Sequence, residues 1–310
     1  QDGRIKMTMS GKVVDLRVSA LPAYFGESIV MRILDKSGLL LGLGQLGFCP
    51  EHQRAWEKLM GLSTGVILVT GPTGSGKTTS LYAAVNALNT LEKNIVTIED
   101  PVEYQLDIVN QNEVRNNIGL SFAKILKHVL RQDPDIIMVG EIRERETAEI
   151  AVQAALTGHL VLSTLHTNDS AGAITRMIDM GIEPYLLSSA LVGVVGQRLL
   201  RRVCNSCKTT YVAPSDLVER FGWDAATAPQ LAKGRGCTDC YDSGYRGRLA
   251  IHETLAVSEE LQQMIMRNPS RDELKAYLRE HDVRSLFDDG IDRVHAQLTT
   301  LEEVARVVGS

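Results

Sequence analysis

The sequence predicts an α/β protein with a doubly wound, mainly parallel sheet, followed by a cysteine-rich module and a helical C-terminal region. Short β-rich runs without internal charge alternate with helical segments between residues 65 and 164, a pattern typical of βαβ units. The string GPTGSGKTT joins one of these runs to a helical segment. Two CxxC pairs lie further along the chain, between residues 204 and 240.

The first 37 residues predict a small β-rich unit. Apolar side chains alternate from Val14 to Val18 and again from Ile29 to Ile33, which indicates two strands. A lone hairpin is only marginally stable in water, so we expect residues 1–37 to complete a domain that begins before this chain. Residues 38–50 contain four glycines and one proline and predict a linker.

The central region, residues 51–203, predicts the sheet and its helices. After an amphipathic helix at 51–62, four apolar runs are typical of strands covered on both faces, namely 65–70, 95–99, 136–139 and 160–164. Helices are expected to begin near Lys77, Ser121 and Arg145, and residues 170–202 are expected to be helical. Right-handed crossovers follow from this alternation of strand and helix.

The composition excludes several classes of protein. Hydrophobic residues make up 44% and charged residues 23% of the 310 residues, so a disordered tail and a fibrous repeat are both excluded. A net charge of -5 argues against broad electrostatic binding of nucleic acid. No run reaches the ~20 apolar residues of a bilayer span, and the first residues form no secretion signal, so we expect a cytoplasmic protein.

Residues 71–79 fit the phosphate-loop pattern GxxxxGK[ST], directly after a strand and before a helix. Glycines allow such a loop to curl until successive backbone N–H groups face one anion. Lys77 is expected to neutralise the β- and γ-phosphates and Thr78 to bind Mg²⁺. The predicted nucleotide-binding residues of the loop are Gly71, Pro72, Thr73, Gly74, Ser75, Gly76, Lys77, Thr78 and Thr79. The alternative is an ordinary glycine-rich turn with a solvated lysine.

Carboxylates follow two of the predicted strands, at the sheet edge where doubly wound folds place their chemistry. Glu141 ends the run DIIMVGE and is the candidate for the second metal-associated carboxylate of a phosphate-loop site. Glu99 and Glu103 belong to TIEDPVE, and either is a candidate to orient an attacking water. We rank Glu103 first and Glu99 second, with helix-capping and turn residues as the alternative.

Two histidines flank the run at 160–164. His159 opens this strand and His166 lies just past its end, within GHLVLSTLHTND. Beside a phosphate loop, either histidine is a candidate to contact the γ-phosphate or to relay its loss to the next helix. The alternative is a pair of structural histidines.

Four cysteines form two CxxC pairs in residues 204–247. Cys204, Cys207, Cys237 and Cys240 match the ligand set of a tetrahedral structural zinc site, with redox cysteines or two disulfides as the alternative. Four thiolates leave no open coordination position, so such a site stabilises a module and does not catalyse. After it, residues 248–310 predict a helical C-terminal region, with charged helices from about Ser258.

The motifs GPTGSGKTT, TIEDPVE, RQDPDIIMVGEIRE and GHLVLSTLHTND, followed by the paired CxxC, occur here in a characteristic order and spacing. On these motifs the chain resembles the type II secretion ATPases and type IV pilus assembly ATPases over essentially its full length. The resemblance implies a RecA-like P-loop ATPase core at 51–203, preceded by the end of a PAS-like domain at 1–37. It implies ATP, Mg²⁺ and Zn²⁺ as cofactors.

The resemblance also implies an assembly and further site residues. A homo-hexamer is expected at the cytoplasmic face of the inner membrane, bound peripherally through a platform protein and an adaptor, with no nucleic acid partner. By family pattern, Arg17 and Arg32 reach the triphosphate and Arg131 occupies a further arginine position. Lys127 stands where relatives often carry arginine, and a point charge there replaces a planar fork. The tetracysteine module, which pilus retraction ATPases generally lack, disfavours a retraction motor.

A different class of protein stays open as an alternative. RecA-like cores and zinc modules also occur in nucleic-acid motors such as helicases and translocases. Stimulation of ATP hydrolysis by DNA or RNA would favour that class, whereas the acidic charge balance and the 5% aromatic content disfavour it.

Overall fold

The computed structural model describes residues 1–9, 12–35, 41–221, 223–224 and 228–309. The strands are β1 (Asp2–Met9), β2 (Lys12–Ala23), β3 (Gly26–Asp35), β4 (Gly65–Thr70), β5 (Ile95–Glu99), β6 (Asn110–Glu113), β7 (Ile136–Val139), β8 (Leu160–Leu165), β9 (Leu191–Val203), β10 (Lys208–Val212), β11 (Gln230–Gly234) and β12 (Tyr245–Ala256). The helices are α1 (Pro50–Met60), α2 (Lys77–Leu88), α3 (Phe122–Val129), α4 (Arg145–Leu156), α5 (Ser170–Asp179), α6 (Pro184–Ala190), α7 (Ser215–Arg220), α8 (Glu259–Met266), α9 (Arg271–Glu280), α10 (Leu286–His295) and α11 (Leu301–Val308).

The leading segment forms an antiparallel sheet of three strands in the order β1-β2-β3, so the prediction of two strands is wrong. The missed strand β1 pairs with β2 from Asp2 opposite Ser19 to Met9 opposite Lys12. Its charged residues alternate with Ile5 and Met7, which is itself the period of a strand. Of the predicted linker, residues 38–40 lie outside the described part, and residues 41–49 contain a single 3₁₀ turn at Leu43–Gln45.

The main sheet has seven strands in the order β12-β9-β4-β8-β7-β5-β6. The four predicted strands β4, β5, β7 and β8 are confirmed and lie together in its middle, where every residue is buried. They pair in parallel, from Gly65 opposite Leu160 to Ile95 opposite Ile136. Helices α1 and α2 pack on one face, and α3, α4 and α5 contribute to the apolar core of the other.

The prediction that residues 170–202 are all helical is wrong for the second half. Helix α5 is followed by α6, which ends at Ala190. The chain then forms β9, which lies beside β4. Three arginines in the second half of β9 break the apolar pattern by which the sequence predicts a buried strand. The strand tolerates them because this half extends past β4 and, within the described residues, pairs with β12 alone. Gly193 allows this strand to pack closely on α1, since a Cβ there would lie 2.4 Å from the side chain of Leu59.

The C-terminal part after Ser258 is helical, as predicted. The Ser or Thr that precedes each of α8 to α11 accepts a hydrogen bond from the first turn of its helix, which satisfies one N–H left without an intrahelical partner. Strand β12 (Tyr245–Ala256) joins the main sheet as its antiparallel edge, so residues 248–256 of the region predicted as helical form a strand instead. Within the described residues, we find no helix with the length and apolar character needed to cross a bilayer.

Candidate nucleotide-binding site

A cavity of about 310 Å³ lies at the carboxyl edge of the main sheet, beneath the leading three-stranded sheet. The phosphate loop, the end of β5, the end of β7 and the end of β8 all contribute to its wall. From the predicted site it collects Arg17, Arg32, Thr73, Gly74, Lys77, Thr78, Glu99, Glu103, Glu141 and His166. Residues from six separate segments of the chain therefore meet at one place.

The phosphate loop starts directly after β4 and leads into α2. Gly74 and Gly76 have φ values of 79° and 89°, which only glycine adopts without strain. Nζ of Lys77 donates to the carbonyl oxygens of Gly71 at 2.8 Å and Pro72 at 3.0 Å, so the ammonium group is held over the loop. Burial lowers the pKa of Lys77, and the nearby Glu141 opposes this shift. The lysine and the carboxylate are thus electrostatically coupled.

Glu141 lies in the segment between β7 and α4 and contacts an arginine and a histidine. Its Oε1 pairs with Arg143 at 2.7 Å, and its Oε2 lies 3.2 Å from Nε2 of His166. The carboxylate is 14% exposed, whereas Arg143 is 70% exposed. Glu141 is therefore held at the cavity wall from two sides, with its oxygens toward the phosphate loop.

Glu99 is buried and accepts three hydrogen bonds. Its carboxylate accepts from Thr97 at 2.6 Å, from Gln111 at 3.1 Å and from the hydroxyl of Tyr82. Burial raises the pKa of Glu99, and these three donors act against the shift. Because its oxygens are occupied by fixed donors, Glu99 is better suited to hold the site together than to move a proton.

The hydroxyl of Tyr82 links the carboxylate of Glu99 to the backbone of Glu103. Its hydroxyl donates to Glu99 and accepts from the backbone N–H groups of Glu103 at 3.1 Å and Tyr104 at 3.2 Å. Burial raises the pKa of Tyr82, and the bond to Glu99 raises it further. The turn that carries Glu103 is thereby fixed to α2.

Glu103 faces the leading sheet, where it meets an arginine pair. Nη2 of Arg17 donates to its Oε1 at 3.0 Å, and both side chains are about one quarter to one third exposed, at 27% and 30%. Arg17 and Arg32 stand directly opposite each other on β2 and β3. Like charges in that position destabilise a strand pair, so the arrangement favours a role in binding an anion.

A second cavity of about 570 Å³ lies on the other side of the first turn of α2. Its wall combines Gly76 and Thr79 of the phosphate loop with Leu41 and Gln45 of the linker segment and with the side chains of Leu199 and Arg248. A wall that combines apolar and polar side chains next to a phosphate loop suits a planar heterocycle that carries polar groups.

The four predicted cysteines converge on one point. Their Sγ atoms all lie within 4.8 Å of one another, with separations of 3.9 Å for Cys204 and Cys237, 3.8 Å for Cys207 and Cys240, and 3.7 Å for Cys237 and Cys240. Zn–S bonds of about 2.3 Å in a tetrahedron give sulfur separations of about 3.8 Å. The donor set therefore has the size and chemistry of a four-thiolate metal site.

The family model for Type II/IV secretion system protein matches residues 1–306. The chain belongs to this family. Type II secretion system protein E of Pseudomonas aeruginosa and Type II secretion system ATPase E of Vibrio cholerae are each 48% identical to it over 307 residues. These matches cover 99% of this chain and 61% of either relative, so the chain spans less than two thirds of their length.

Two solved structures share the fold of this chain. The crystal structure of the pilus retraction motor PilT with bound ADP matches with a TM-score of 0.72 at 28% identity, over 98% of this chain and 77% of the PilT chain. The ATPase DotB of Legionella pneumophila matches with a TM-score of 0.72 at 20% identity, over 99% and 76% of the two chains, and shows the fold alone.

Two predicted site residues, His159 and Arg131, lie away from the cavity. His159 precedes β8, whose first residue Leu160 pairs with the first residues of β4 and β7, so it lies at the opposite edge of the sheet. Its Nδ1 lies 2.8 Å from the carbonyl oxygen of Ala154, which is a structural bond. Arg131 lies just after α3 at that same edge and donates to the carbonyl oxygen of Lys127 at 2.7 Å. Lys127 pairs with Glu146 at 2.6 Å.

Arg143 and Tyr82 were not predicted as site residues from the sequence, although both contact residues of the cavity wall. Arg143 follows Glu141 by two positions and pairs with it at 2.7 Å, so a basic residue this close to a strand-end carboxylate was a usable signal. Tyr82 lies on α2, and its partners Glu99 and Glu103 are distant in sequence. No local pattern identifies such a contact.

Proposed function

We propose that this chain is the motor region of an ATPase that hydrolyses ATP with Mg²⁺ to drive assembly of a pseudopilus or pilus in a secretion system. The observation that supports this most strongly is the 310 Å³ cavity, where a phosphate loop, strand-end carboxylates and an opposed arginine pair meet. The Vibrio cholerae relative named as an ATPase and the ADP-bound retraction motor agree with this chemistry.

The side chains around the cavity suit different parts of the reaction. Lys77 and the arginine pair would neutralise the phosphates, and Glu103, held by Tyr82 and Arg17, would orient the attacking water. The Thr78 hydroxyl and the Glu141 carboxylate, both on the cavity wall, are the oxygen donors that would hold Mg²⁺. Bound Mg²⁺ supplies positive charge that stabilises the transferring phosphoryl group.

The 570 Å³ cavity would receive the nucleoside part of ATP. It adjoins Gly76 and Thr79, so a nucleotide whose phosphates lie on the loop extends its base toward Leu41 and Leu199. Because Leu41 and Gln45 precede α1 on the linker segment, base binding would connect that segment to the core.

The position of the arginine pair relative to the phosphate loop suggests how hydrolysis would produce motion. Arg17 and Arg32 belong to the leading sheet, whereas the phosphate loop belongs to the main sheet. A triphosphate bound between them would draw the two sheets together, and loss of the γ-phosphate would release them. We propose that a homo-hexamer uses this closure as its stroke, at the cytoplasmic face of the inner membrane and bound peripherally to platform and adaptor proteins.

The test compares ATP turnover and binding in three variants. Lys77→Ala should lose binding, whereas Glu103→Gln should bind ATP and turn over at least ~10²-fold more slowly, because the water loses its base. Glu92→Gln, which changes an exposed carboxylate in the loop before β5, is the matched control and should resemble the parent. Parental turnover in Glu103→Gln would contradict its assignment.

The assembly is tested by measuring turnover against protein concentration. A rate per chain that rises with concentration supports an oligomeric motor. A rate that stays constant, together with parental activity of Arg17→Ala, would leave an ATPase that works as a monomer.

The cysteine cluster is proposed to hold one structural zinc ion. Its four sulfurs have the separations of a thiolate tetrahedron, and its strands β10 and β11 form only a two-stranded sheet. So small a sheet has little core of its own, and a bound metal would stabilise it.

A further inference from the structure

Gln197 lies on β9 beside the phosphate loop. β9 pairs with β4 as far as Gly196, which stands opposite Thr70, so Gln197 is level with the start of the loop. The residue is 2% exposed. A buried side-chain amide requires hydrogen-bond partners, and those of Gln197 define its role.

The amide of Gln197 bridges the phosphate loop and α2. Its Nε2 donates to the carbonyl oxygen of Ser75 at 2.9 Å, and its Oε1 accepts from Oγ of Ser80 at 2.7 Å. Only this orientation pairs a donor with the Ser75 carbonyl, because a flipped amide would place one oxygen against another. The two bonds therefore fix the amide and the Ser75 carbonyl together.

Two glycines of the loop pack directly on Gln197. A Cβ on Gly71 would lie 2.4 Å from the carbonyl oxygen of Gln197, and a Cβ on Gly76 would lie 2.8 Å from its Nε2. Both distances are shorter than contacts between non-bonded atoms allow. These glycines are needed for the close approach to Gln197 as well as for the curvature of the loop.

The Ser75 carbonyl belongs to the same peptide group as the N–H of Gly76. In a trans peptide the C=O and the N–H point in opposite directions. A carbonyl drawn toward Gln197 on β9 therefore turns the Gly76 N–H away from Gln197 and β9. We propose that Gln197 is a positioning residue that orients the Gly76 N–H toward the phosphates of a bound nucleotide, an inference that rests on the proposed ATP-binding function.

The experiment measures dissociation constants of ADP and of pyrophosphate, each with Mg²⁺, for Gln197→Met and Gln197→Glu. Neither variant can donate to Ser75, and the glutamate still accepts from Ser80. Both should weaken both ligands by a similar factor, about tenfold or more, because one aligned donor to a charged phosphate is lost. Pyrophosphate has no base, so an equal loss places the effect at the phosphates.

Thr299→Val is the matched structural control. Oγ1 of Thr299 donates to the carbonyl oxygen of Arg201 at 2.8 Å, so this variant also removes a buried hydrogen bond to β9, but away from the loop. It should lower the thermal midpoint and keep parental affinity for both ligands.

If the parent binds both ligands, three outcomes would overturn the inference. Parental affinity of Gln197→Met, or an equal loss of affinity in Thr299→Val, would show that Gln197 does not position the loop. A loss of ADP binding with parental pyrophosphate binding would place the effect at the base. If Gln197→Met fails to fold, the glutamate variant carries the same test. A parent protein that binds neither ligand would refute the proposed function itself, and this inference with it.

Discussion

Replacing Tyr82 with phenylalanine tests the network that holds the acidic turn. The substitution removes one hydroxyl and with it three hydrogen bonds, one to the Glu99 carboxylate and two from the backbone N–H groups of Glu103 and Tyr104. A bond to a charged group contributes about 1.5–3 kcal/mol, and each neutral bond about 0.5–1.5 kcal/mol. The two N–H groups are only partly buried and regain some hydration, so we expect a loss of about 3 kcal/mol in the free energy of unfolding.

This loss should depend on pH in a defined direction. Burial already raises the pKa of Glu99 above its ordinary value of 4.5, and the Tyr82 hydroxyl is one of the groups that limit the rise. A folded carboxyl with a raised pKa binds its proton more tightly than the unfolded one, so stability falls as pH rises from 4.5 through the folded value. Without the hydroxyl the folded pKa rises further, and the decrease extends to higher pH.

Urea unfolding of the parent and the variant at pH about 5 and about 8 measures both effects. Tyr104→Phe is the matched control, because its ring contacts that of Tyr82 at 5.4 Å while its hydroxyl takes no part in these bonds. ATP turnover of Tyr82→Phe should also fall, since the backbone of Glu103 loses its anchor. Equal losses in the two variants, or a larger loss at the lower pH, would refute the reasoning.

Three further predictions concern the arginine pair, the C-terminal region and the cysteine cluster. Arg17→Ala and Arg32→Ala should each lower ATP turnover strongly and leave the thermal midpoint nearly unchanged, because partly exposed ion pairs contribute only ~0–1 kcal/mol; parental turnover in both would argue against the role of the pair. Burial acts to raise the pKa of Glu303, but Arg306 and Arg201 lower it to about 2. The ionised carboxylate therefore stabilises the fold at pH values above its ordinary pKa of 4.5, and this stabilisation fades as the pH falls toward about 2. Glu303→Gln should therefore cost about 3 kcal/mol in urea unfolding at neutral pH and markedly less at pH about 3, and a cost independent of pH would contradict this. Cys237→Ser should reduce bound zinc, measured by elemental analysis at near one equivalent in the parent, and lower the thermal midpoint; a metal-free parent with an unchanged midpoint would exclude the structural zinc.

The four middle strands of the main sheet were predictable because they carry an unambiguous signal. β4, β5, β7 and β8 are short, apolar and free of internal charge, and all four were assigned from the sequence. β9 was not, because Arg198, Arg201 and Arg202 interrupt its apolar pattern. Its two glycines and its valine-rich first half favour a strand over a helix, so the sequence did contain evidence against the helical assignment.

The candidate site shows a similar division. Lys77, Glu141 and His166 follow the carboxyl ends of β4, β7 and β8, and their proximity follows from the rule that parallel strands bring their carboxyl ends together. The same rule places His159, at the beginning of its strand, on the opposite edge. Contacts such as that between Tyr82 and Glu99 depend on how α2 packs across the sheet, and a single sequence contains no record of that packing.

Strand β9 connects two parts of the chain that have separate chemistry. At its middle, Gln197 holds the phosphate loop, and directly after its last residue Val203 comes Cys204 of the cysteine cluster. A ligand that restrains the middle of a continuous strand also lowers the freedom of its end, and any such coupling between two binding sites is reciprocal. Metal in the thiolate cluster and nucleotide on the loop would then each strengthen the other's binding. A chelator would remove zinc more slowly from the nucleotide-bound protein, and the zinc-free protein would release nucleotide faster.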